Sequence, residues 1–203
     1  PHGGWVPLVI ALGIFILMTT WKRGREILRV RLQEVAVPFS EFLKRIEEER
    51  PTRIRRGAVF LTGDPQGTPP ALIHNLEHNE VLHQPVVLLT VENEEVPYVL
   101  SAERLQVTPL GAGFHRAIAR YGFMQDPSVP EIVARMRQFG LDLKMEETTF
   151  FLGGENVVPT RLPGMAIWRE KLFALMTRNA LRATDFFRIP PSRVIEVRMQ
   201  VEI

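Results

Sequence analysis

Cysteine is absent from these 203 residues, which excludes disulfides, thiolate nucleophiles and Cys-based zinc centres and fits a reducing cytosol. Strong charge of either sign is also missing. The 25 Lys and Arg nearly balance 23 Asp and Glu, and no aromatic-interleaved basic patch accompanies them, so no nucleic-acid partner is expected. There is no G-x-S-x-G elbow and no paired-carboxylate motif. Scattered Ser, His and Asp occur in any domain, so neither enzyme activity nor a bound cofactor is expected. Internal repeats and low-complexity tracts are lacking too.

One stretch, Gly3 to Trp21, lacks charge altogether. It is long enough for a helix to cross a hydrocarbon core, which takes ~17–25 residues. Trp5 and Trp21 stand at its ends, where an indole buries its ring and hydrogen-bonds through its N–H. Lys22, Arg23, Arg25, Arg29 and Arg31 follow it. Basic residues beside a spanning helix stay on the cytoplasmic side, so the remaining chain is expected in the cytosol. A secretory signal would carry its positive charge before the apolar run and small residues after it, the reverse of this order. A buried core helix is the other alternative, disfavoured by an uncharged run of this length with flanking Trp.

The pattern predicts one N-terminal transmembrane helix followed by a cytosolic mixed α/β sheet domain with helices packed on it. The expected boundaries are 3–21 for the span, 22–50 for juxtamembrane amphipathic helices and 55–203 for the α/β domain. Within 22–50, Pro38 interrupts the helical pattern, and Ser40 is positioned to cap a second helix, Ser40–Glu49. This pair either lies along the inner leaflet or docks on the domain. Ala58–Thr62 and Val86–Val91 are continuous apolar runs on either side of a helical segment, Ala71–His78, which reads as a βαβ unit with parallel strands covered on both faces. Leu105–Thr108 and His115–Tyr121 read as antiparallel strands. Val129–Phe139 reads as a helix, Thr148–Leu152 as a strand, Ala166–Phe186 as a long helix and Val194–Val201 as a last, half-buried strand.

Two candidate sites stand out. Gly63, Asp64, Gly67 and Thr68 lie on a loop between a strand and a helix, where open α/β sheets bind ligands. That loop has neither G-x-G-x-x-G nor a P-loop Lys, so a nucleotide-binding role competes with a plain βα connection. His74 and His78 share a helix face at i,i+4, but without a third ligand no metal site is expected. Asn75, His78 and Asn79 are expected instead to satisfy backbone groups at that helix end. The Phe pairs at 150–151 and 186–187 read as core packing or as contacts to a membrane part.

Five segments in order, GGWVPL with FILMTTWKRGR, HNLEHNEVLH with VVLLTV, RYGFMQDPSVPEIV, TFFLGGENVVP and FFRIPPSRVIEVRMQVEI, resemble the KUP/HAK/KT family of potassium uptake permeases. Gly154 stands where that family usually carries a charged residue. The resemblance covers only the family's last membrane helix and its C-terminal domain. It implies a multi-pass permease of the cytoplasmic (inner) membrane that moves K⁺ with H⁺, its ion and proton sites lying in earlier helices, so no ion-binding residue is assigned to this chain. It also implies as partners the lipid bilayer, the remaining membrane helices of the permease and a cyclic dinucleotide bound by the cytosolic domain; a homodimer is expected as well. The competing expectation is a membrane-anchored nucleotide-binding sensor.

Overall fold

The computed structural model describes residues 4–160, 164–180 and 187–203. In chain order the elements are α1 (Val6–Glu34), α2 (Phe39–Glu49), β1 (Thr52–Ile54), β2 (Ala58–Leu61), α3 (Pro70–Asn79), β3 (Val81–His83), β4 (Val86–Glu94), β5 (Leu105–Gly111), β6 (Phe114–Gly122), α4 (Val129–Met136), β7 (Thr149–Val158), α5 (Ile167–Arg178) and β8 (Val194–Glu202). They form two compact units: 36–154 with 181–198, and 1–35 with 155–180 and 199–203.

The larger unit is built on a six-stranded sheet of order β5-β6-β4-β2-β7-β8. β2 pairs in parallel with both β4 and β7, β4 pairs in parallel with β6, and β5 closes one edge antiparallel to β6. The βαβ expectation is met by β2, α3 and β4, and the apolar runs are explained by burial on both sides. One face carries Val59, Val87, Leu89, Ala117 and Phe150 against Ile132, Val133 and Met136 of α4. The other carries Ala58, Phe60, Leu88, Phe114 and Phe151 against α2 and α3. Phe60 and Phe151 stack across adjacent strands at 4.3 Å, and Phe42 of α2 meets Phe114 edge-on at 5.9 Å.

Two sequence expectations need correction, and two short strands went unexpected. α2 starts at Phe39, with Pro38 at its N-cap and no side-chain cap; the Pro38 carbonyl takes the N–H groups of Glu41 and Phe42, so Ser40 already lies in the first turn. β1 and β3, a two-stranded parallel sheet of three-residue strands, are too short to show a period. The long helix expected from 166 to 186 is α5, ending at Arg178, where the Asn179 amide donates to the Leu175 carbonyl at 2.8 Å. The remainder of that expectation, including Phe186, falls on 181–186, outside the described residues.

The smaller unit is organised on α1, whose 29 residues at ~1.5 Å each make a rod of ~44 Å. No proline falls between Pro7 and Pro38, so the helix passes unbroken from the uncharged run into the basic segment. Its first half exposes Leu8, Ile10, Leu12, Phe15 and Met18 on all sides. Its second half buries a single i,i+4 stripe, Thr20, Gly24 and Leu28. Against this stripe lies α5: Arg169 Nε donates to Thr20 Oγ1 at 3.0 Å, and Phe173 packs on Trp21 at 5.5 Å. Gly24 makes the approach possible, because a Cβ there would overlap the Phe173 ring. Val157, Val201 and Ile203 complete this core.

Glu170 is 1% exposed in the same unit, and its Oε2 has no hydrogen-bond partner among the described residues. Burial pushes its carboxyl above the usual range, opposed by a backbone hydrogen bond at Thr160.

Three outcomes follow from this packing. Gly24→Leu should part α5 from α1 and cost ~1–3 kcal/mol by overpacking, read as a lower thermal midpoint in detergent. Because the folded-state pKa of Glu170 is raised, the carboxyl favours folding below its unfolded pKa and disfavours it as pH rises through the folded value. Glu170→Gln should therefore raise the midpoint at neutral pH and change it little near about pH 4. Removing residues 192–203 deletes β8 and, with it, core residues Val201 and Ile203. The shortened chain should aggregate or lose its cooperative melt, because β7 becomes an open edge; an unchanged melt would mean that β8 is a dispensable tail.

Candidate functional site

The loop after β2 is folded on itself. Thr62 Oγ1 bonds the Asp64 backbone at 3.1 Å, and Asp64 Oδ1 accepts the Gln66 N–H at 2.9 Å. A Cβ on Gly67 would come within 2.6 Å of Asp64 Oδ2, so the absence of a side chain there is what lets the turn close. Thr68 is buried and its N–H donates to the Val37 carbonyl at 3.2 Å, while Oγ1 finds no partner among the described residues. Gly63 is exposed, with open space where a side chain would go. Asp64 and Gly67 thus meet, and Thr68 anchors the loop toward α2. Helix α3 begins at Pro69-Pro70, and two residues without N–H groups thin the donors that a phosphate would need there.

The histidines divide. His74 and His78 stack at 5.7 Å on α3, whereas His83 sits on β3 beside Phe151 at 5.7 Å. Burial pushes the imidazoles of His83 and His115 below their usual value, because desolvation disfavours the charged form. Among the described residues no group of three His, Cys, Asp or Glu is placed to hold a metal. Asn75 does close the end of α3, donating to the Val81 carbonyl at 3.1 Å and accepting from Asn79 at 2.9 Å.

The residues expected at the membrane ends are all on α1 or its cap. Trp5 is exposed, and Trp21 leans on Phe173. Lys22, Arg23 and Arg25 are exposed; Arg23 pairs with Glu26 at 3.4 Å and reaches the Gly164 carbonyl at 3.5 Å. Thr19 Oγ1 donates to the Phe15 carbonyl at 2.8 Å, so its hydroxyl is satisfied within the helix. The apolar half offers no carboxylate and no unwound carbonyl, the groups that an intramembrane ion site needs.

One surface was missed by sequence reasoning. At the carboxyl ends of β4 and β6, Gln125 clamps two loops: Oε1 accepts from Val99 at 3.0 Å and Gly122 at 2.9 Å, and Nε2 donates to the Val99 carbonyl at 3.2 Å. Phe123 and Met124 donate their N–H groups to the Val96 and Pro97 carbonyls. These bonds display Val96, Tyr98, Leu100, Phe123 and Met124 as exposed apolar side chains on a fixed backbone. The one sequence signal was Phe-Met following Gly122 in a segment otherwise patterned as a loop.

Residues 55–203 match the family described as the K⁺ potassium transporter C-terminal domain. The chain is 52% identical over 201 residues to the "Probable potassium transport system protein Kup" of Myxococcus xanthus, covering 99% of this chain and 31% of that protein. It is 49% identical to "Probable potassium transport system protein Kup 2" of Chromobacterium violaceum, with 99% and 32% covered. The protein of the same name from Rhodopseudomonas palustris strain BisB5 is 51% identical, with 100% and 32% covered. No solved structure matches. The chain spans about a third of the length of these relatives. With the family's domain matched across its α/β sheet and relatives of about half identity along its whole length, the chain belongs to the Kup potassium transporter family, as its C-terminal region.

Proposed function

We propose that this chain is the C-terminal portion of a potassium transporter of the cytoplasmic membrane, which carries K⁺ with H⁺ as a complete protein. In this reading α1 is a spanning helix and the α/β unit is cytosolic, serving assembly or regulation without catalysis. The observation that carries it is the match of nearly all of this chain to about a third of each relative, together with the exposed apolar helix α1. The ion path then belongs to the part of the transporter outside these residues, and α1 is structural.

Two experiments test it. A complete gene encoding this chain should restore rubidium uptake to a potassium-uptake-deficient bacterium, and the chain alone should not; uptake by the chain alone would overturn the structural role of α1. A reporter fused after Ile203 should be active only in its cytosolic form. Neutralising Lys22, Arg23 and Arg25 should weaken that retention when the chain is expressed by itself. An active periplasmic fusion of the unaltered chain would overturn the orientation.

A further inference from the structure

We infer that the exposed face of α5 lies in the headgroup layer of the cytoplasmic leaflet, with Ile167 and Trp168 at the acyl boundary and Lys171 among the lipid phosphates. The inference rests on α1 being a spanning helix.

Depth comes first. The hydrogen bond from Arg169 to Thr20 and the contact of Phe173 with Trp21 hold the first turns of α5 beside the last residues of the uncharged run. Thr20 and Gly24 are four residues apart, ~6 Å along a helix axis, comparable with the thickness of one headgroup layer. A helix fixed at that level cannot avoid the membrane surface unless another protein segment covers it.

The chemistry of the outward face decides between those two. Positions 167, 168, 171, 175 and 178 share one side of α5, and they carry Ile, Trp, Lys, Leu and Arg. Ile167, Trp168 and Leu175 are 44%, 54% and 55% exposed. The acidic residue of the helix, Glu170, is turned inward and buried. Exposed Lys22 and Arg25 lie on α1 at the same level. On α5 the outward face joins large apolar side chains and an indole to cations with no carboxylate, and on α1 the nearby Glu26 is paired with Arg23; this is the composition of a surface seated on anionic lipid. The centre of a protein interface is depleted of lysine instead.

The sequence holds three tryptophans, so single-Trp chains report each level separately. The whole chain is reconstituted in phosphatidylcholine–phosphatidylglycerol vesicles whose acyl chains are brominated near the headgroup end. With Trp5→Phe and Trp21→Phe, Trp168 fluorescence should be quenched as strongly as that of Trp21 in the Trp5→Phe, Trp168→Phe chain. Lys171→Glu with Arg178→Glu should reduce Trp168 quenching in these vesicles and leave it unchanged in pure phosphatidylcholine, with helicity by circular dichroism retained. Lys171→Gln should give a smaller loss in the same direction, which guards against a folding defect in the double variant. Quenched Trp21 with unquenched Trp168 would overturn the inference and leave the span standing, the face being free or covered by protein. If Trp21 and Trp5 both escaped quenching, the spanning reading itself would fall. Quenching of Trp168 indifferent to the charge reversals would overturn the role given to lipid phosphates.

Discussion

Everything in the smaller unit depends on α1 being one helix with no interruption. A backbone in hydrocarbon must satisfy its own N–H and C=O groups, and an unbroken i→i−4 ladder from Val6 to Glu34 does so without help. Pro7 sits where its missing N–H costs nothing, and the next proline, Pro38, lies beyond the helix end. The same rod carries two different surfaces along its length. Up to Met18 its apolar side chains point in every direction, which suits a solvent that is itself apolar. From Thr20 onward only a narrow stripe is buried, and the remaining positions are exposed or half-buried and carry most of the helix's charge, chiefly basic.

In the larger unit the governing constraint is double-sided burial of parallel strands. A strand covered on both faces cannot alternate polar and apolar residues, so β2 reads Ala-Val-Phe-Leu and β4 opens Val-Val-Leu-Leu. Both β2 neighbours run parallel to it, and α2 and α3 cover one face while α4 covers the other. At the far edge, β8 alternates instead: Val197 and Val201 turn inward, Glu196 and Glu202 outward. Charged outward positions on an edge strand discourage pairing with another chain.

What the sequence made legible follows from the same physics. Long apolar runs, the charge step at Trp21-Lys22 and the alternation of β8 are signals summed over many residues, and they located the long apolar helix, the βαβ unit and the last strand. β1 and β3 could not be found because three residues carry no period. The α2 start was misplaced by one residue because Ser40 has cap chemistry, while Pro38, with its fixed φ and free carbonyl, takes the cap position. Of the candidate sites, Lys22, Arg23 and Arg25 are exposed on α1 just past its apolar half, and Trp5 stands at its N-cap. The compact turn at Thr62–Thr68 depends on Asp64 accepting Gln66 and on Gly67 lacking a Cβ, contacts that no composition reveals. The Gln125 clamp joins residues 26 positions apart, beyond the reach of any local pattern.

The pairing of Gly24 with Phe173 shows why α5 was legible only in part. A glycine inside a helix costs ~1 kcal/mol against alanine, which in a spanning helix reads as a local weakness. Here the missing Cβ admits an aromatic ring, and the ring brings a second helix whose outward residues are apolar and basic. The glycine therefore acts at a distance in sequence. By fixing how closely α5 approaches α1, it sets the level at which Ile167, Trp168 and Lys171 stand relative to the end of the uncharged run. Moving that contact by one helical turn along α1 would shift those side chains by ~5.4 Å, enough to carry an indole from the acyl boundary to the outer headgroups. A single small residue thus couples the packing of two helices to the depth of a surface that neither helix would define alone.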